Sequence, residues 1–370
     1  MTHLNKIVLV CVFGISLLLA LGVHEAMAQQ KPFAGQTLTV GIWSGPFGQN
    51  FEACISKPFE AMTGAKLAHK YAWDFTPEIL AAPPDDPPVD ACLAADSDYI
   101  LGIERKLWLP MRYENVPNIN KVFPIVKDKI SPTTEFGIPF DVGIHILWYR
   151  KDLVKSTPTS WADLWKDEFK GKIAIERWFP YWVYVGSYLT NYTPRKQAIY
   201  SPEGRNAIIE QMKKLSKRWF FCYEKGAEFV AALDAGEIII GNFWNGSASF
   251  KIQEQIDKYG KATTYALVFP KEGSVAYLDH LSVVRGTKKR DLAEAFINYA
   301  MSTEASKAFM KKHFQIVANQ EVVKDIPPLM KPFYPATEAG WKKIDFIDAK
   351  VLEPLRKELE ERFVKEVLAK

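Results

Sequence analysis

The chain has 370 residues, 48% of them hydrophobic, and a formal net charge of +4 at pH 7 that comes from interspersed basic and acidic residues. This balance lacks the clustered positive charge of a nucleic-acid-binding surface, and the length exceeds what one hydrophobic core usually organises, so two lobes are expected. Because Gly-X-Ser-X-Gly, His-Glu-X-X-His and Cys-X-X-Cys motifs do not occur, no catalytic residue is predicted and an exported enzyme is the weakest of the functions considered.

The N-terminal region has the pattern of an export signal. Lys6 precedes an apolar run over residues 7–23, which is too short to span a bilayer, and Ala26-Met27-Ala28 supplies the small residues of a cleavage site. We predict that residues 1–28 are a signal peptide cleaved after Ala28, and that the mature protein is exported to the periplasm.

The cysteines do not indicate a metal site. Cys54, Cys92 and Cys222 remain after cleavage, and their spacing fits no zinc pattern. In an oxidising compartment this odd count permits either one disulfide with a free thiol or three buried thiols, and both alternatives stay open.

Strands alternate with helices in the first third of the mature chain. Residues 38–45 predict a strand that ends in Gly and Ser, and the apolar residues after it recur at helical spacings of three and four: Phe51, Ile55, Phe59 and Met62. Residues 66–73 predict a second strand. Residues 90–108 predict a third strand that runs into a helix, with Asp96, Ser97 or Asp98 as its N-cap.

These units predict a parallel sheet covered by helices, in which ligand sites lie beyond the carboxyl ends of the strands. For this chain the rule selects Trp43 and Ser44, which follow the first strand, and Asp98, which lies in the turn after the third strand. We therefore predict that these three residues bind a ligand.

The pattern changes near residue 139. Residues 137–153 predict a long apolar strand, and a helix is predicted to begin at Ser160, where Asp163 completes a variant of the capping box. The later elements are predicted in this order: a strand at 170–175, an amphipathic helix at 204–219, a helix and a strand at 226–244, a pair of helices at 289–313, and a mostly helical region from Thr337.

Two apolar segments in the second half of the chain combine aromatic rings with one acid. The predicted strands end in Trp244 and Tyr277, and the Asn-Gly-Ser after Trp244 predicts a turn that leaves its ring pointing outward. Asp279 follows Tyr277 by two residues, so both share one face of a strand. Because an unpaired buried acid is costly, Asp279 needs a partner: Arg285 or His280 in a structural bridge, or a bound ammonium, which we favour.

The chain resembles the periplasmic solute-binding proteins of ATP-driven importers, in particular the spermidine/putrescine-binding type, in the strings TSWADLWKDEFKGKIAI, GNFWNGSASF, VFPKEGSVAYLDHLSVV and AFINYAMSTEASKAFM. The resemblance implies an α/β, two-lobed periplasmic-binding-protein type II fold with a ligand cleft between the lobes. It implies a first lobe at 31–139 and 270–313, a second lobe at 140–269 and 314–370, and hinges near 139–142 and 269–273. It also implies an ABC permease as partner; we expect a monomer that binds no nucleic acid.

The resemblance assigns roles to particular residues. Trp43 with Ser44 matches an aromatic and hydroxyl pair of the family, and Trp244 matches a stacking aromatic. Tyr277 and Asp279 match the aromatic and the carboxylate on the strand that re-enters the first lobe.

One departure from the family bears on the ligand. Polyamine-binding members carry acids after the string KGKIAI, and our alignment sets Trp178 and Tyr181 at those places, so rings replace two ammonium anchors. Glu176 becomes an anchor if the register shifts by one or two residues, and Arg177 could instead meet a carboxylate. Alternatively, several of the five rings from 178 to 184 form a buried helix face.

The ligand is therefore a polyamine held differently, a quaternary ammonium boxed by rings, or an amine that also bears an acid group. Because Asp279 is the one firmly matched carboxylate, we expect a single ammonium, captured as the substrate-binding component of an ABC transporter. We predict no cofactor. The alternative is binding of ferric iron or another metal, for which the candidate ligands are His69, His145, His280 and His313. Iron-binding relatives use adjacent tyrosines that the C-terminal third lacks, so no metal is predicted.

Overall fold

The computed structural model describes residues 31–192 and 196–369. The predicted signal peptide and its cleavage after Ala28 lie outside the described residues. Within these ranges, no helix is both long and apolar enough to cross a membrane.

The described residues form one sheet of eleven strands with helices around it. The strands are β1 (Thr37–Ile42), β2 (Lys66–Tyr71), β3 (Ala91–Ala95), β4 (Ile138–Arg150), β5 (Ile173–Glu176), β6 (Phe221–Tyr223), β7 (Ile240–Trp244), β8 (Tyr265–Val268), β9 (Ser274–Val283), β10 (Ile316–Val317) and β11 (Ile344–Phe346).

The α-helices of the described ranges are α1 (Pro46–Phe51), α2 (Lys57–Thr63), α3 (Thr76–Ala81), α4 (Asp96–Glu104), α5 (Phe179–Tyr188), α6 (Lys196–Tyr200), α7 (Pro202–Ser216), α8 (Gly226–Ala235), α9 (Asn245–Tyr259), α10 (Arg290–Ala300), α11 (Thr303–His313), α12 (Glu338–Trp341), α13 (Ala349–Leu352) and α14 (Arg356–Arg362). Turns of π-helix lie at Glu52–Ser56, Val126–Ile130 and Phe363–Leu368. Short 3-10 helices lie at Tyr113–Asn115, Pro117–Lys121, Trp161–Trp165, Asp167–Phe169, Gln320–Asp325 and Glu353–Leu355.

Two sets of parallel strands are joined by two long antiparallel strands. β1 pairs in parallel with β2 and β3, and β5 pairs in parallel with β6 and β7. β9 runs antiparallel to β3 and β4, and β4 runs antiparallel to β7. The predicted parallel pairing therefore holds within each set, but the sheet as a whole is mixed because β4 and β9 run against their neighbours.

β4 belongs to both sets of strands. Its residues 138–144 pair with β9, whereas its residues 145–150 pair with β7 and β8. Every residue of β4 except Arg150 is buried, as expected for a long apolar strand in the middle of a sheet. The chain thus has the two-lobed α/β arrangement that the sequence predicts.

Aromatic packing holds α1 and α2 on the sheet. The ring of Phe51 lies 5.6 Å from that of Phe140 on β4, and Phe51, Ile55 and Phe59 are all buried. Met62, the fourth residue of the predicted apolar face, is exposed. The helical spacing seen in the sequence is therefore confirmed for three of its four positions.

The second set of strands is covered by α5, a helix that is buried along its whole length. The predicted capping box lies beside it: Ala162 N donates to Ser160 Oγ at 3.1 Å, and Ser160 N donates to Asp163 Oδ2 at 3.0 Å. This capping box is confirmed, although the helix that follows is the short 3-10 helix Trp161–Trp165.

The C-terminal region contacts both sets of strands. β10 pairs with Asp141 and Val142 of β4, and the ring of Trp341 lies 5.2 Å from that of Phe123. Further on, Phe363 stacks on Trp182 of α5 with ring centroids 4.3 Å apart. The lobe boundaries, which assign all of 314–370 to the second lobe, stay a prediction.

The three cysteines of the described chain are free thiols. Cys92 is buried in β3, and Cys54 and Cys222 are half-buried. The alternative with one disulfide is therefore wrong, and the alternative of three buried thiols holds fully for Cys92 alone of the three.

We expect Phe363→Ala to lower the free energy of unfolding by about 3–5 kcal/mol, because it removes a buried ring that stacks on Trp182. Val364→Ala is the matched control, since its side chain is 48% exposed, and it should change stability by no more than about 0.5 kcal/mol. Urea unfolding followed by circular dichroism measures both. Equal effects of the two substitutions would show that the C-terminal segment is not anchored on α5.

Candidate ligand-binding site

Two acidic side chains lie next to each other where β4 pairs with β9. Asp141 and Asp279 are partners in the antiparallel register of these strands, and neither is exposed to solvent. Side chains at such positions lie next to each other, and the two carboxyl groups hydrogen-bond to one another. We call Asp141 and Asp279 the carboxyl pair.

One oxygen of each carboxyl group is held by a neutral donor. Trp43 Nε1 donates to Asp279 Oδ2 at 2.8 Å, and Gln315 Nε2 donates to Asp141 Oδ2. Gln315 Nε2 also lies 3.2 Å from Tyr277 Oη. The remaining oxygens, Asp141 Oδ1 and Asp279 Oδ1, receive no hydrogen bond from any N–H group or hydroxyl of the described chain.

Burial and mutual repulsion keep the carboxyl pair from ionising fully. Burial raises the pKa of Asp141 to about 7, although the hydrogen bonds from Gln315 and Asp279 oppose the rise. Burial, followed by the charge of Asp141, raises the pKa of Asp279 well above its ordinary value. At neutral pH the pair therefore retains a proton.

A third acid lies at the start of α4. Both carboxylate oxygens of Asp96 accept from Leu278 N, at 3.2 and 3.4 Å, and burial raises the pKa of Asp96 well above its ordinary value. The predicted N-cap at Asp96, Ser97 or Asp98 is wrong, since the N-cap residue is Ala95 and it makes no side-chain cap. The reason is that Asp96 uses its carboxylate on the backbone of β9.

The predicted ligand residue Asp98 lies in the first turn of α4. Burial, and then the charge of Asp74, raises the pKa of Asp98 to about 7, while Ser97 and the positive charge of Arg356 lower it. Ser44, the other polar prediction, is exposed on the turn after Trp43. Their predicted roles in ligand binding stay a prediction.

Three aromatic residues form what we call the aromatic wall: Tyr181, Trp244 and Tyr277. Trp244 meets Tyr181 edge-on at 4.6 Å between ring centroids and Tyr277 at 5.0 Å. Tyr277 lies within β9 rather than at its end, and its ring covers Gly143 of β4, where any Cβ would overlap it. The predicted same-face arrangement thus brings Tyr277 and Asp279 to one site.

The predicted turn after Trp244 is wrong. Asn245 is the first residue of α9 and is buried. Its side-chain oxygen accepts from Ile144 N at 2.8 Å, and its Nδ2 donates to Phe314 O at 3.1 Å. These bonds fix the start of α9, and the half-buried ring of Trp244 packs against Tyr181, Tyr277 and His145.

A buried polar network supports Tyr181 from beneath. The ring of His145 stacks on Tyr181 with centroids 3.7 Å apart. Asn242 Nδ2 lies 2.9 Å from His145 Nδ1, and His145 Nε2 lies 2.9 Å from Glu176 Oε2. Glu176 is therefore an acid near the site, as one alternative alignment allows, whereas Arg177 contacts Glu224 at the surface.

Of the other rings of residues 178–184, one is exposed and three are buried. Trp178 is 41% exposed and lies 4.6 Å from the ring of Tyr181. Phe179, Trp182 and Tyr184 are buried core residues, as the alternative of a buried helix face predicts. A further exposed ring that the sequence analysis did not select, Trp73, stacks on Trp43 at 5.9 Å.

The structural bridges considered for Asp279 do not form. The ring of His280 stacks on Tyr99 at 3.8 Å, and its Nε2 lies 2.9 Å from Ser131 Oγ. Arg285 reaches the backbone oxygen of Arg105 at 3.5 Å. Asp279 is not a lone acid, because Asp141 lies against it, and its role as the anchor of a ligand stays a prediction. Asp141 is an acid in an otherwise apolar strand, the same signal that selected Asp279.

The four histidines lie in separate surroundings. His69 Nε2 is 2.9 Å from Ser56 Oγ, and His313 Nδ1 is 3.1 Å from Asn50 Nδ2, while His145 and His280 have the neighbours given above. Nowhere in residues 31–192 and 196–369 do three or more His, Cys, Asp or Glu side chains form a group that could hold a metal ion.

Comparison with known proteins gives one family. A family model described as bacterial extracellular solute-binding protein matches residues 55–335. The spermidine/putrescine-binding periplasmic protein of Salmonella typhimurium is 25% identical over 232 residues, covering 58% of this chain and 60% of the relative. The gamma-aminobutyric acid-binding protein of Pseudomonas aeruginosa is 25% identical over 236 residues, covering 62% and 63%. The chain thus spans less than two thirds of the length of these curated relatives.

Solved structures share the fold. The spermidine/putrescine ABC transporter substrate-binding protein of Streptococcus pneumoniae matches with a TM-score of 0.73 at 17% identity, covering 90% of this chain and 99% of that one. A binding protein of A. tumefaciens in complex with glucopine matches with a TM-score of 0.70 at 16% identity, covering 90% and 100%. The predicted two-lobed periplasmic-binding-protein fold is confirmed, and so is the resemblance stated from the sequence.

We expect the ligand-free protein to lose stability as the pH rises from about 4 to about 7. A carboxyl group whose pKa is raised in the folded state holds its proton more tightly than the unfolded chain does, so its contribution is complete at low pH and is lost as the pH passes the folded pKa. Asp141→Asn should remove about 1–3 kcal/mol of this loss. Urea unfolding at several pH values measures it.

The exposed Asp86→Asn is the control for this measurement, because it removes the same charge from a surface loop. Its stability should follow that of the unchanged protein at every pH. Parallel pH profiles for Asp141→Asn and the unchanged protein would contradict the assignment of a shared proton to the carboxyl pair.

Proposed function

The chain belongs to the bacterial extracellular solute-binding protein family, and on this premise we propose that it is the substrate-binding component of an ABC transporter that captures a small organic amine. The observation that carries the proposal is the carboxyl pair, buried beside the aromatic wall. Buried acids that have only neutral donors as partners attract a cation, and aromatic faces take up both its methylene groups and its charge.

The relatives support an amine as ligand. The two curated relatives are named for spermidine and putrescine and for gamma-aminobutyric acid. These compounds differ in charge and length, but each carries an ammonium group on a chain of methylenes at neutral pH. This ammonium group on methylenes is the chemical group that buried acids and aromatic rings bind.

Capture would proceed by closure of two lobes over the ligand. Residues from both sets of strands line the site, since Tyr181 and Trp244 come from the set around β5 and β7, and Tyr277 and Asp279 come from β9. A ligand that contacts both lobes shifts the hinge equilibrium to the closed form, because only that form makes both sets of contacts. We infer lobes at 31–139 with 270–313 and at 140–269 with 314–370, and hinges near 139–142 and 269–273.

The closed form would be presented, as a monomer, to an ABC permease in the inner membrane. This role requires export, which agrees with the family's extracellular character. We therefore infer a periplasmic protein whose signal peptide is removed after Ala28.

We expect amines to raise the melting temperature of the mature protein, because a ligand that binds only the folded state stabilises it. The panel consists of putrescine, spermidine, gamma-aminobutyrate and a quaternary amine, with acetate and glucose as ligands without a cation. Titration calorimetry then measures affinity. If every amine leaves the melting temperature unchanged, the proposed function fails.

Asp279→Asn should weaken the amine that binds by about 2 kcal/mol or more, because it takes a charge from a desolvated pair. Asp86→Asn, in an exposed loop, should leave the affinity unchanged. Equal affinities of Asp279→Asn and the unchanged protein would place the amine elsewhere.

We expect a bound amine to reduce the radius of gyration if the lobes close on it. Small-angle scattering of the mature protein with and without a saturating amine measures this change, and acetate serves as the control. A radius that stays constant at saturation would contradict closure while leaving amine binding intact.

A further inference from the structure

We propose that Trp73 and Trp178 form a pair of outer rings that hold an apolar or aromatic group of the ligand, at the end away from its ammonium. We call these two residues the outer ring pair. This inference rests on the proposed function and deepens it. It adds Trp73 as a ligand-binding residue, and it names the class of ligand as an amine that carries an aryl or alkyl group at one end.

The indole of Trp73 has one covered face and one open face. It stacks on the indole of Trp43 with ring centroids 5.9 Å apart and 23° between the ring planes. Since Trp73 is nevertheless 71% exposed, its other face is open to solvent. The next residue fixes the loop, because Thr76 N and Thr76 Oγ1 donate to Asp74 Oδ1 at 2.7 and 2.6 Å. A large apolar face is thus held in place before a ligand arrives.

The stack connects Trp73 to the carboxyl pair. Trp43 is buried, and its Nε1 donates to Asp279 Oδ2 at 2.8 Å. Trp73 lies on one face of this buried indole, so it is one ring further from Asp279 than Trp43 is. A ligand that extends from the carboxyl pair to Trp73 therefore carries a second group beyond its ammonium.

Trp178 has a matching position on the other set of strands. It is 41% exposed and lies directly before α5, and its ring centroid is 4.6 Å from that of Tyr181. Tyr181 belongs to the aromatic wall, so each set of strands presents one exposed tryptophan that contacts a buried ring of the site. Two indoles from opposite sides can cover both faces of a flat group.

Asp98 lies between the surroundings of the two tryptophans. Burial, and then the charge of Asp74, raises the pKa of Asp98, whereas the positive charge of Arg356 lowers it. Asp74 directly follows one member of the outer ring pair in the chain. The Arg356 guanidinium lies 5.0 Å from the ring centroid of Phe179, which directly follows the other member. Neighbours of both tryptophans thus act on one carboxyl group, which supports a common position at the mouth of the site.

The group that suits the outer ring pair is uncharged. Indole rings carry no charge, and Arg356 already supplies a positive charge beside Asp98. Apolar and aromatic groups gain from burial between flat faces, whereas a second ammonium would give up its hydration there. We therefore infer an aryl or alkyl end and not a second ammonium.

Matched pairs of ligands test this class. Calorimetry of the mature protein compares putrescine with N-benzylputrescine, and gamma-aminobutyrate with its benzyl ester; each derivative adds one ring and keeps one primary ammonium. We expect the derivative to bind about 10- to 100-fold more tightly than its parent, because both indoles cover the added ring. Equal or weaker binding of both derivatives contradicts the outer ring pair.

Trp73→Ala tests whether this ring contacts the ligand or only covers Trp43. We expect it to weaken the derivative about tenfold more than the parent. Trp73→Phe should retain most of the preference, since a smaller ring still stacks. If Trp73→Ala weakens parent and derivative equally, Trp73 supports Trp43 and is not a ligand-binding residue. Tyr259→Ala, at an exposed ring at the far end of α9, is the matched control and should change neither affinity.

Trp178→Ala should give the same preferential loss, with Trp178→Phe as the conservative variant. Thermal melts confirm that each variant is folded, which matters because Trp178 is the N-cap residue of α5. If only one of the two alanine variants lowers the preference, the two rings do not hold one group and the pair is wrong.

The outcomes separate this inference from the proposed function. If the parent amines bind and the derivatives bind no more tightly, the outer ring pair is wrong and the proposed function stands. If no amine binds, with or without the added ring, both are wrong. A preference for the derivatives that both alanine variants lower supports the inference.

Discussion

The pairing of β4 with β9 sets the position of everything else in the site. It puts two acids against each other in a fully buried place, where each ionised carboxylate costs several kcal/mol in lost hydration. Two neutral donors, Trp43 Nε1 and Gln315 Nε2, offset part of that cost, and a shared proton offsets more. The same strand pairing joins the two sets of strands, so the arrangement that makes the fold two-lobed also makes the site acidic.

The opposite side of the site contributes shape instead of charge. Tyr181 lies between the stacked ring of His145 and the edge of Trp244. The neighbouring acid, Glu176, is paired with His145. The acid that neighbours Asp279 comes from β4, on the other side of the strand pair. The two acids of the carboxyl pair thus lie together at the strand pairing, whereas the aromatic wall supplies mainly rings.

Much of the fold could be predicted because it depends on local pattern. The helical spacing of Phe51 and Phe59, the capping box at Ser160 and the shared face of Tyr277 and Asp279 involve residues close together in sequence. The contact of Asp141 with Asp279 could not be predicted, since the register of two strands far apart in the chain depends on the whole sheet. For the same reason the start of α9 was missed: an Asn-Gly-Ser sequence favours a turn, but the bonds from Asn245 to Ile144 and Phe314 make it helical.

Gly143 lies where the two halves of β4 meet, and because it has no side chain it leaves room there for a neighbouring ring. It lies between Asp141, a member of the carboxyl pair, and His145, which packs against the aromatic wall, and the Tyr277 ring occupies the space that a side chain would fill. A larger residue there would lift this ring and with it the hydroxyl that Gln315 contacts. The position of the Tyr277 ring in the aromatic wall is therefore encoded by a residue that has no side chain, and it can change without any substitution in the carboxyl pair or in the wall itself.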